Sequence, residues 1–388
     1  MRVLFLTHSF PRFIGDAPGS FLHRLAVALE AIDVEVHVIA PAAENLPARE
    51  DIGGIHVERF RYAPKGLETL AYTGNMAQEV AGSWSARFFL TTFLGAEFVR
   101  SSWESRAFKP DVIHAHWWFP SGVVAMSLAG FSRVPLVTTL HGTDLRLAMQ
   151  VRASRPVLKQ VLRRSRRVTT VSRWLASELR AIAPGAEPIV APMPVAIERF
   201  APHGSREANR FLFAGRLNRQ KGLDHLLRGF AGMRQPALLD VVGEGSDEAK
   251  LKLLSSQLGV SDRVTWHGQL EQPDLVKMYQ SATAVVVPSV DEGLGLVAAE
   301  ALLCETPVIA FRSGGLTDII QHERTGILVT PAVTAELSAA LDHVLEFPDH
   351  AHDLAVTGRG HVLATLSPES AAQKYAAIYR EAIGGRQA

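Results

Sequence analysis

Short runs of β-branched and other apolar residues alternate with stretches of helical periodicity along almost the whole chain. That pattern predicts parallel sheets joined by helical crossovers. Residues 3–7, 34–40, 111–116, 135–140 and 166–171 form a first set of strand-like runs. Residues 211–215, 238–243, 263–268, 283–289, 306–310 and 325–329 form a second set. Between the sets, 188–210 is rich in proline and has little periodicity, so it reads as a linker. The fold expected is α/β, with two doubly wound domains, 1–195 and 196–367, facing each other across a cleft. Only helical patterns follow the last strand. Ser367-Pro368 makes a helix start, and Tyr375 and Tyr379 fall on one face of a final helix.

Composition narrows the function. The 388 residues carry 40 basic and 39 acidic side chains, a net charge of +1, so no overall field draws the molecule to nucleic acid. One cysteine, Cys304, allows no internal disulfide and reads as a buried core thiol in a reducing compartment. The N-terminal apolar run is too short for a secretory signal, and no segment reaches the ~18 apolar residues of a membrane span. A cytoplasmic protein is expected, at most peripheral at the inner face of the membrane. Segment 76–108 is rich in Trp and Phe but interrupted by Glu79, Arg87, Glu97 and Arg100 at helical spacing, which predicts an amphipathic helix. Segment 151–173 carries eight Arg or Lys and no acid. It reads as a solvated helix face or as a patch for anionic lipid or an acidic acceptor.

In open parallel sheets, ligands sit beyond the C-terminal strand ends. There "AGRLNRQKGLDHLL" (214–227) leaves a strand through Gly215, and Arg216 and Lys221 bracket a loop that could bring two cations to a diphosphate. The alternative is a solvated basic turn. "DEGLGLVAAE" (291–300) sets Glu292 and Glu300 eight positions apart around Gly293 and Gly295. A helix beginning near Leu294 would aim its free N–H groups at the same loop, each anion contact there being worth about 0.3–1 kcal/mol. The glycines would leave room for phosphates. Glu300 would then lie roughly 8–9 Å along the axis, about the span from a sugar across a diphosphate to a ribose. Two glutamates at this spacing are also common on surface helices. "GEGSDEAKL" (243–251) is a lone Gly-x-Gly, weak as a dinucleotide fingerprint, whose Gly243 and Glu244 could admit a base or ribose. His267, at the end of a strand-like run, completes these donor-side candidates.

In the first half, "TLHGTDL" (139–145) places His141 at a strand end, where it can donate to a sugar hydroxyl, with Asp144 orienting it or capping the next helix. His116 and Asp144 are candidate acceptor contacts. His114 and His116 share a strand face and could join His141 in a zinc triad, but no helical His pair or acidic second run supports it. The chain contains no Asp-x-Asp, so a carboxylate clamp for a metal-bound diphosphate has no source. No metal and no cofactor are expected.

Taken together, "GRLNRQKG", "EGLGLVAAE", "HGTDL" and "TVSRWLASEL" (170–179) resemble the retaining glycosyltransferases of family 4, of GT-B architecture with two Rossmann-like domains. The resemblance covers nearly the whole chain. It implies that Arg216 and Lys221 hold the donor diphosphate, that Glu292 with Gly293, Leu294, Gly295 and Leu296 holds sugar and phosphates, and that Glu300 holds the ribose. His141 would bond the donor sugar. The final helix, about 368–388, would cross back onto the N-terminal, acceptor-binding domain, leaving 196–367 for the nucleotide sugar. The implied reaction is metal-independent, retaining transfer of a hexose-type sugar from a UDP-sugar, in preference to a GDP-sugar, to a saccharide, lipid-linked or small-molecule acceptor. Peripheral membrane contact through the N-terminal domain goes with a lipid-linked acceptor. Where family members often carry a Gly-Gly pair in the first strand-to-helix loop, this chain has Gly15 and Gly19 apart, and Gly19 is the better candidate for close approach to the donor. The interdomain "APMPVAIERF" replaces a common Asn-Gly-Val turn.

Three rivals remain. A glycosidase would need both glutamates at one glycosidic bond, whereas this spacing strings them along a loop and helix. A sugar-nucleotide epimerase of the same architecture would share the donor loops. A non-catalytic nucleotide-sugar-binding subunit would be expected to lack some of Arg216, Lys221, Glu292 and His141, and all four are present.

Overall fold

Each apolar run of the sequence becomes a strand, and the strands form two sheets. The computed structural model describes residues 1–72, 76–204 and 206–384. The last four residues assigned to the final helix, 385–388, lie outside the described residues. One unit comprises Met1–Pro194 with the segment from Pro368 onward, and the other comprises Val195–Ser367.

The N-terminal unit holds β1 (Arg2–Leu6), β2 (Glu35–Pro41), β3 (Arg49–Ile52), β4 (Ile55–Phe60), β5 (Val112–His116), β6 (Leu136–Leu140), β7 (Arg167–Thr170) and β8 (Ile189–Val190), in the order β3-β4-β2-β1-β5-β6-β7-β8. All neighbours are parallel except β3 and β4. Leu4, Leu6, Ile113 and Ala115 pack with Phe60 and Phe93 in its core. The C-terminal unit holds β9 (Arg210–Ala214), β10 (Leu238–Val242), β11 (Val264–Gly268), β12 (Ala284–Val287), β13 (Val308–Phe311) and β14 (Ile327–Val329), all parallel, in the order β11-β10-β9-β12-β13-β14. Phe211, Phe213, Val241, Val286 and Ile309 form its core with Phe230 and Leu341. In each sheet the chain reverses its direction of growth once, between β1 and β5 and between β9 and β12. The loops after those strands flank the crevice where a doubly wound sheet takes ligands.

Four features differ from the sequence reading. The hairpin β3-β4 was not among the expected strands, because β3 is the charged run Arg49–Ile52, although Gly53-Gly54 ahead of the β-branched start of β4 is a turn signal. β8 lies inside the expected linker and pairs with β7. Segment 76–108 is two helices, Met76–Gly82 and Trp84–Phe108, with the Ser83 side chain capping the second. Its polarity is also inverted. Trp84 is 84% and Trp103 67% exposed, whereas Glu97 is fully buried and its Oε atoms lack a hydrogen-bond partner among the described residues. Burial pushes that carboxyl up to about 8, against a weaker opposing effect of Ser121. Finally, the helix of the Glu292 loop begins at Leu296. Gly295 ahead of it sits at φ 93°, a left-handed conformation that ends the loop rather than continuing a helix.

The final helix, Pro368–Gly384, packs on the N-terminal sheet, with Tyr375 and Tyr379 buried on its inner face. Tyr379 Oη is 2.7 Å from His114 Nδ1, and Tyr375 Oη donates to the Ala191 carbonyl at 2.9 Å. Cys304 is buried, and burial pushes its thiol up to about 12. Among the described residues no helix is long and apolar enough to cross a membrane.

Candidate functional site

In the C-terminal unit the loops after β9 and β12 meet, because those two strands are neighbours. Asn218 accepts from the Lys221 backbone N–H at 3.2 Å and forms a single tight turn, Arg219–Lys221, that brings Lys221 back over Gly215. Gly222 closes the turn at φ 68°, where a β-carbon would lie 2.1 Å from the Pro288 carbonyl oxygen. Val290 N–H then donates to the Gln220 carbonyl at 2.9 Å. So clamped, Lys221 Nζ donates to Glu292 Oε2 at 2.6 Å. The Glu292 carbonyl in turn accepts from Gly315 N–H at 2.7 Å.

Arg216 is exposed and makes no ion pair among the described residues. Glu300 is the fifth residue of its helix, and its Oε2 accepts from the buried Tyr279 hydroxyl at 3.0 Å. With the helix starting at Leu296, Glu300 lies about 6 Å along the axis from its first residue, at ~1.5 Å per residue. Glu244 is exposed, and its carbonyl accepts from Leu217 N–H at 2.8 Å. Gly293 is half-buried and Leu294 is buried.

The glycines of this unit serve protein packing more than ligand clearance. A β-carbon on Gly243 would lie 2.0 Å from the Gly215 carbonyl oxygen, so this glycine lets two loops cross. Beyond Gly295 stands the Leu316 side chain rather than open space. His267 also turns inward. Its Nε2 is 2.7 Å from Oδ1 of Asp240, a carboxylate buried in β10 that is gripped at 2.8 Å by Arg210 as well.

In the N-terminal unit the loops after β1 and β6 and the last residue of β5 bring His8, His141 and His116 together, with Trp117, the first residue after β5, between His8 and His141. The Trp117 ring lies 4.3 Å from both the His8 and the His141 ring. His116 Nδ1 and His141 Nε2 share a hydrogen bond of 3.2 Å. Burial, and after it the neighbouring imidazoles, holds both rings well below the usual histidine range. Each is therefore neutral at pH 7, and one nitrogen of the pair donates while the other accepts.

Two acceptor-side candidates change role. His116 is fully buried, so it supports His141 instead of reaching an acceptor. Asp144 is also buried. Its Oδ1 accepts from the N–H groups of His141 (3.1 Å) and Gly142 (3.0 Å), and its Oδ2 from that of Trp118 (3.0 Å). It ties the two loops together, and burial pushes its carboxyl up to about 6 despite those bonds. Gly19 precedes the first helix at φ 72°, and what closely approaches it is the backbone of Ser9 and Phe10. These roles could not be read from sequence because each is decided by a neighbour on another loop.

The suggested zinc triad does not form, since His114 gives its ring nitrogens to Tyr379 and Thr139, each at 2.7 Å. Among the described residues, the group with metal-ligating spacing is His37, His56 and Glu104, whose ligand atoms lie within 4.8 Å of one another. They come from β2, β4 and the helix Trp84–Phe108, elements that carry none of the site residues above.

Comparison with known proteins matches residues 196–361 to the model for "Glycosyl transferases group 1" and residues 17–192 to that for "Glycosyl transferase 4-like domain". The chain is 32% identical to D-inositol 3-phosphate glycosyltransferase of Salinispora tropica, over 81% of this chain and 71% of that protein. Among solved structures, sucrose-phosphate synthase from Thermosynechococcus elongatus superposes with a TM-score of 0.81 at 24% identity, covering 99% of both chains. HepE of Anabaena in complex with UDP does so with a TM-score of 0.75 at 19% identity, covering 98% of this chain and all of that one. Likeness at that level of identity speaks for the fold.

Proposed function

Because the chain belongs to the group 1 glycosyltransferases and is a glycosyltransferase of GT-B fold, we propose that it carries out retaining transfer of a hexose-type sugar from a UDP-sugar to a hydroxyl of a saccharide, lipid-linked or small-molecule acceptor. The observation that carries the reading is the Lys221–Glu292 pair at the β9/β12 strand ends, with exposed Arg216 on the same loop. Lysine has three N–H donors, so Nζ can keep Glu292 and still donate to a phosphate oxygen. Arg216 offers a planar fork to the same diphosphate. As the sugar C1–O bond loosens, negative charge grows on the leaving diphosphate, and these two cations stabilise it where it develops.

The other oxygen of Glu292 can accept from a sugar hydroxyl. Glu244 and the backbone at Gly243, on the loop after β10, and Glu300, in the helix that follows the Glu292 loop, are assigned to the ribose and base. The role of His141, a hydrogen bond to the donor sugar, rests on the family resemblance. Its neutral ring is held by His116 and by the Asp144 brace on its backbone. The acceptor hydroxyl attacks C1 from the face of departure. Its proton passes to the departing phosphate oxygen, so no protein nucleophile takes part. Diphosphate charge is met by Arg216 and Lys221 without a metal. Preference for UDP draws on the UDP complex of the structural neighbour from Anabaena.

The test is a panel of UDP- and GDP-sugars with candidate acceptors, following released nucleotide and product anomer, with EDTA present in a parallel series. Separate Lys221→Ala and Glu292→Ala variants should lose transfer. Unchanged rates in both would overturn the donor assignment, and an inverted product anomer would overturn the retaining course.

A further inference from the structure

A broad hollow lies away from the strand ends just described. It is a groove of about 1080 Å³ at the N-terminal ends of β7 and β8, between the helix Arg155–Arg164 and the loop 183–187. In a parallel sheet this is the edge opposite to the one carrying His141. Arg152, Arg155, Lys159, Arg163, Arg166 and Arg167 line it, and Glu187 is the one acid in the lining. A second hollow of about 380 Å³ shares Arg163 and Arg166 with it and adds Arg133 and Arg164. The two form one basic track past the helix end.

Part of this charge is structural. Arg155 donates to the Ala148 carbonyl at 2.9 Å, Arg167 pairs with Glu381 at 3.1 Å, and cations at a helix C-terminus suit its dipole. Arg164, in the last turn of the helix, is served by that dipole, whereas Arg152 and Lys159 are not; none of the three makes an ion pair among the described residues. Cations left without counter-ions in a concave site attract anions from solution.

We infer that this track is a binding site for an extended polyanionic glycan, a saccharide chain carrying repeated phosphate or sulfate groups. Size argues against a lone phosphate, since about 300–1,000 Å³ already holds a drug-sized ligand. Shape argues for a chain, because the cations follow a groove continued into a second hollow, whereas a bilayer presents a flat surface. Lining chemistry argues for a saccharide. Pro156, Leu162, Val168 and Ile189 offer aliphatic walls to the C–H faces of sugar rings, and no aromatic side chain lines either hollow to stack a nucleobase. The inference is independent of the donor assignments above.

The test measures binding of a fluorescent heparin-derived octasaccharide to the whole protein at low and moderate salt. The wild type is expected to bind, with affinity falling steeply as salt rises. The triple variant R152Q/K159Q/R164Q is expected to bind at least tenfold more weakly with a shallower salt dependence. Its melting temperature and transfer rate should be unchanged, since none of these residues belongs to the transfer machinery. Neutral maltooligosaccharide should not compete. Equal binding by wild type and triple variant would overturn the proposal. So would no measurable binding, or three-residue-dependent binding to phosphatidylglycerol vesicles that the octasaccharide does not displace.

Discussion

Lys221 Nζ and Glu292 Oε2 lie 2.6 Å apart although 71 positions separate them in the chain. They meet because β9 and β12 are neighbours in the sheet and each residue sits on the loop that follows its strand. The pair is partly solvent-exposed, so its contribution to stability is small, on the order of 1 kcal/mol or less. Its value is in placing a cation. Lys221→Ala should lower the transfer rate by roughly 10²–10³-fold, as for loss of one charge-stabilising donor, with little change in melting temperature. Steady-state kinetics beside a thermal melt separate the two effects.

Gly222→Ala tests the turn that aims Lys221. The substitution puts a methyl group 2.1 Å from the Pro288 carbonyl oxygen at φ 68°, so the loop after β9 must shift away from the loop after β12. A cost of roughly 1–3 kcal/mol is expected, together with loss of transfer. A variant with wild-type melting temperature and rate would show that the clamp is dispensable.

Glu97 gives a pH-dependent prediction. Its folded-state carboxyl is pushed from 4.5 up to about 8, so the folded protein holds a proton that the unfolded chain releases. The sign is opposite to that of a salt-bridged acid. The penalty is absent below pH 4.5, grows as pH rises, and is complete above about 8. Glu97→Gln should therefore stabilise the N-terminal unit by an amount that widens between pH 5 and 8, on the order of a few kcal/mol at the upper end. Melting curves of both proteins across that range check it, and a constant difference would refute it.

Tyr379→Phe removes the hydroxyl bonded to His114 Nδ1 and leaves that nitrogen buried without a partner. A loss of about 1–3 kcal/mol is expected. It should appear in the N-terminal unit, where the final helix packs, and hydrogen exchange of that helix should rise first.

The strand-end loops were legible because their places depend on order along the chain. Strand-like runs located the loops, and Arg216, Lys221, Glu292 and Glu300 stood at fixed offsets from them. The histidines were harder. His116, His141 and Asp144 were visible as candidates, but burial of the first and last, which turned both from acceptor contacts into supports, depends on Trp117, Trp118 and the packing of separate loops. The Trp-rich helix misled for a related reason. Periodicity assumes that charge faces water, whereas Glu97 faces the interior.

The sequence by itself determined the alternation of strands and helices, the two-part organisation and the identity of the cationic and acidic loop residues, because these follow from local periodicity and composition. Tertiary structure decided which of them touch. Adjacency of β9 to β12 made Lys221 and Glu292 a pair, a crossing loop filled the space beside Gly243, and the Leu316 side chain filled that beside Gly295. Likewise, the basic run 151–173 could be counted from sequence, but only the placement of the helix Arg155–Arg164 against the starts of β7 and β8 made it a groove. Contacts between residues far apart in the chain depend on which strands pair, and no local pattern encodes that.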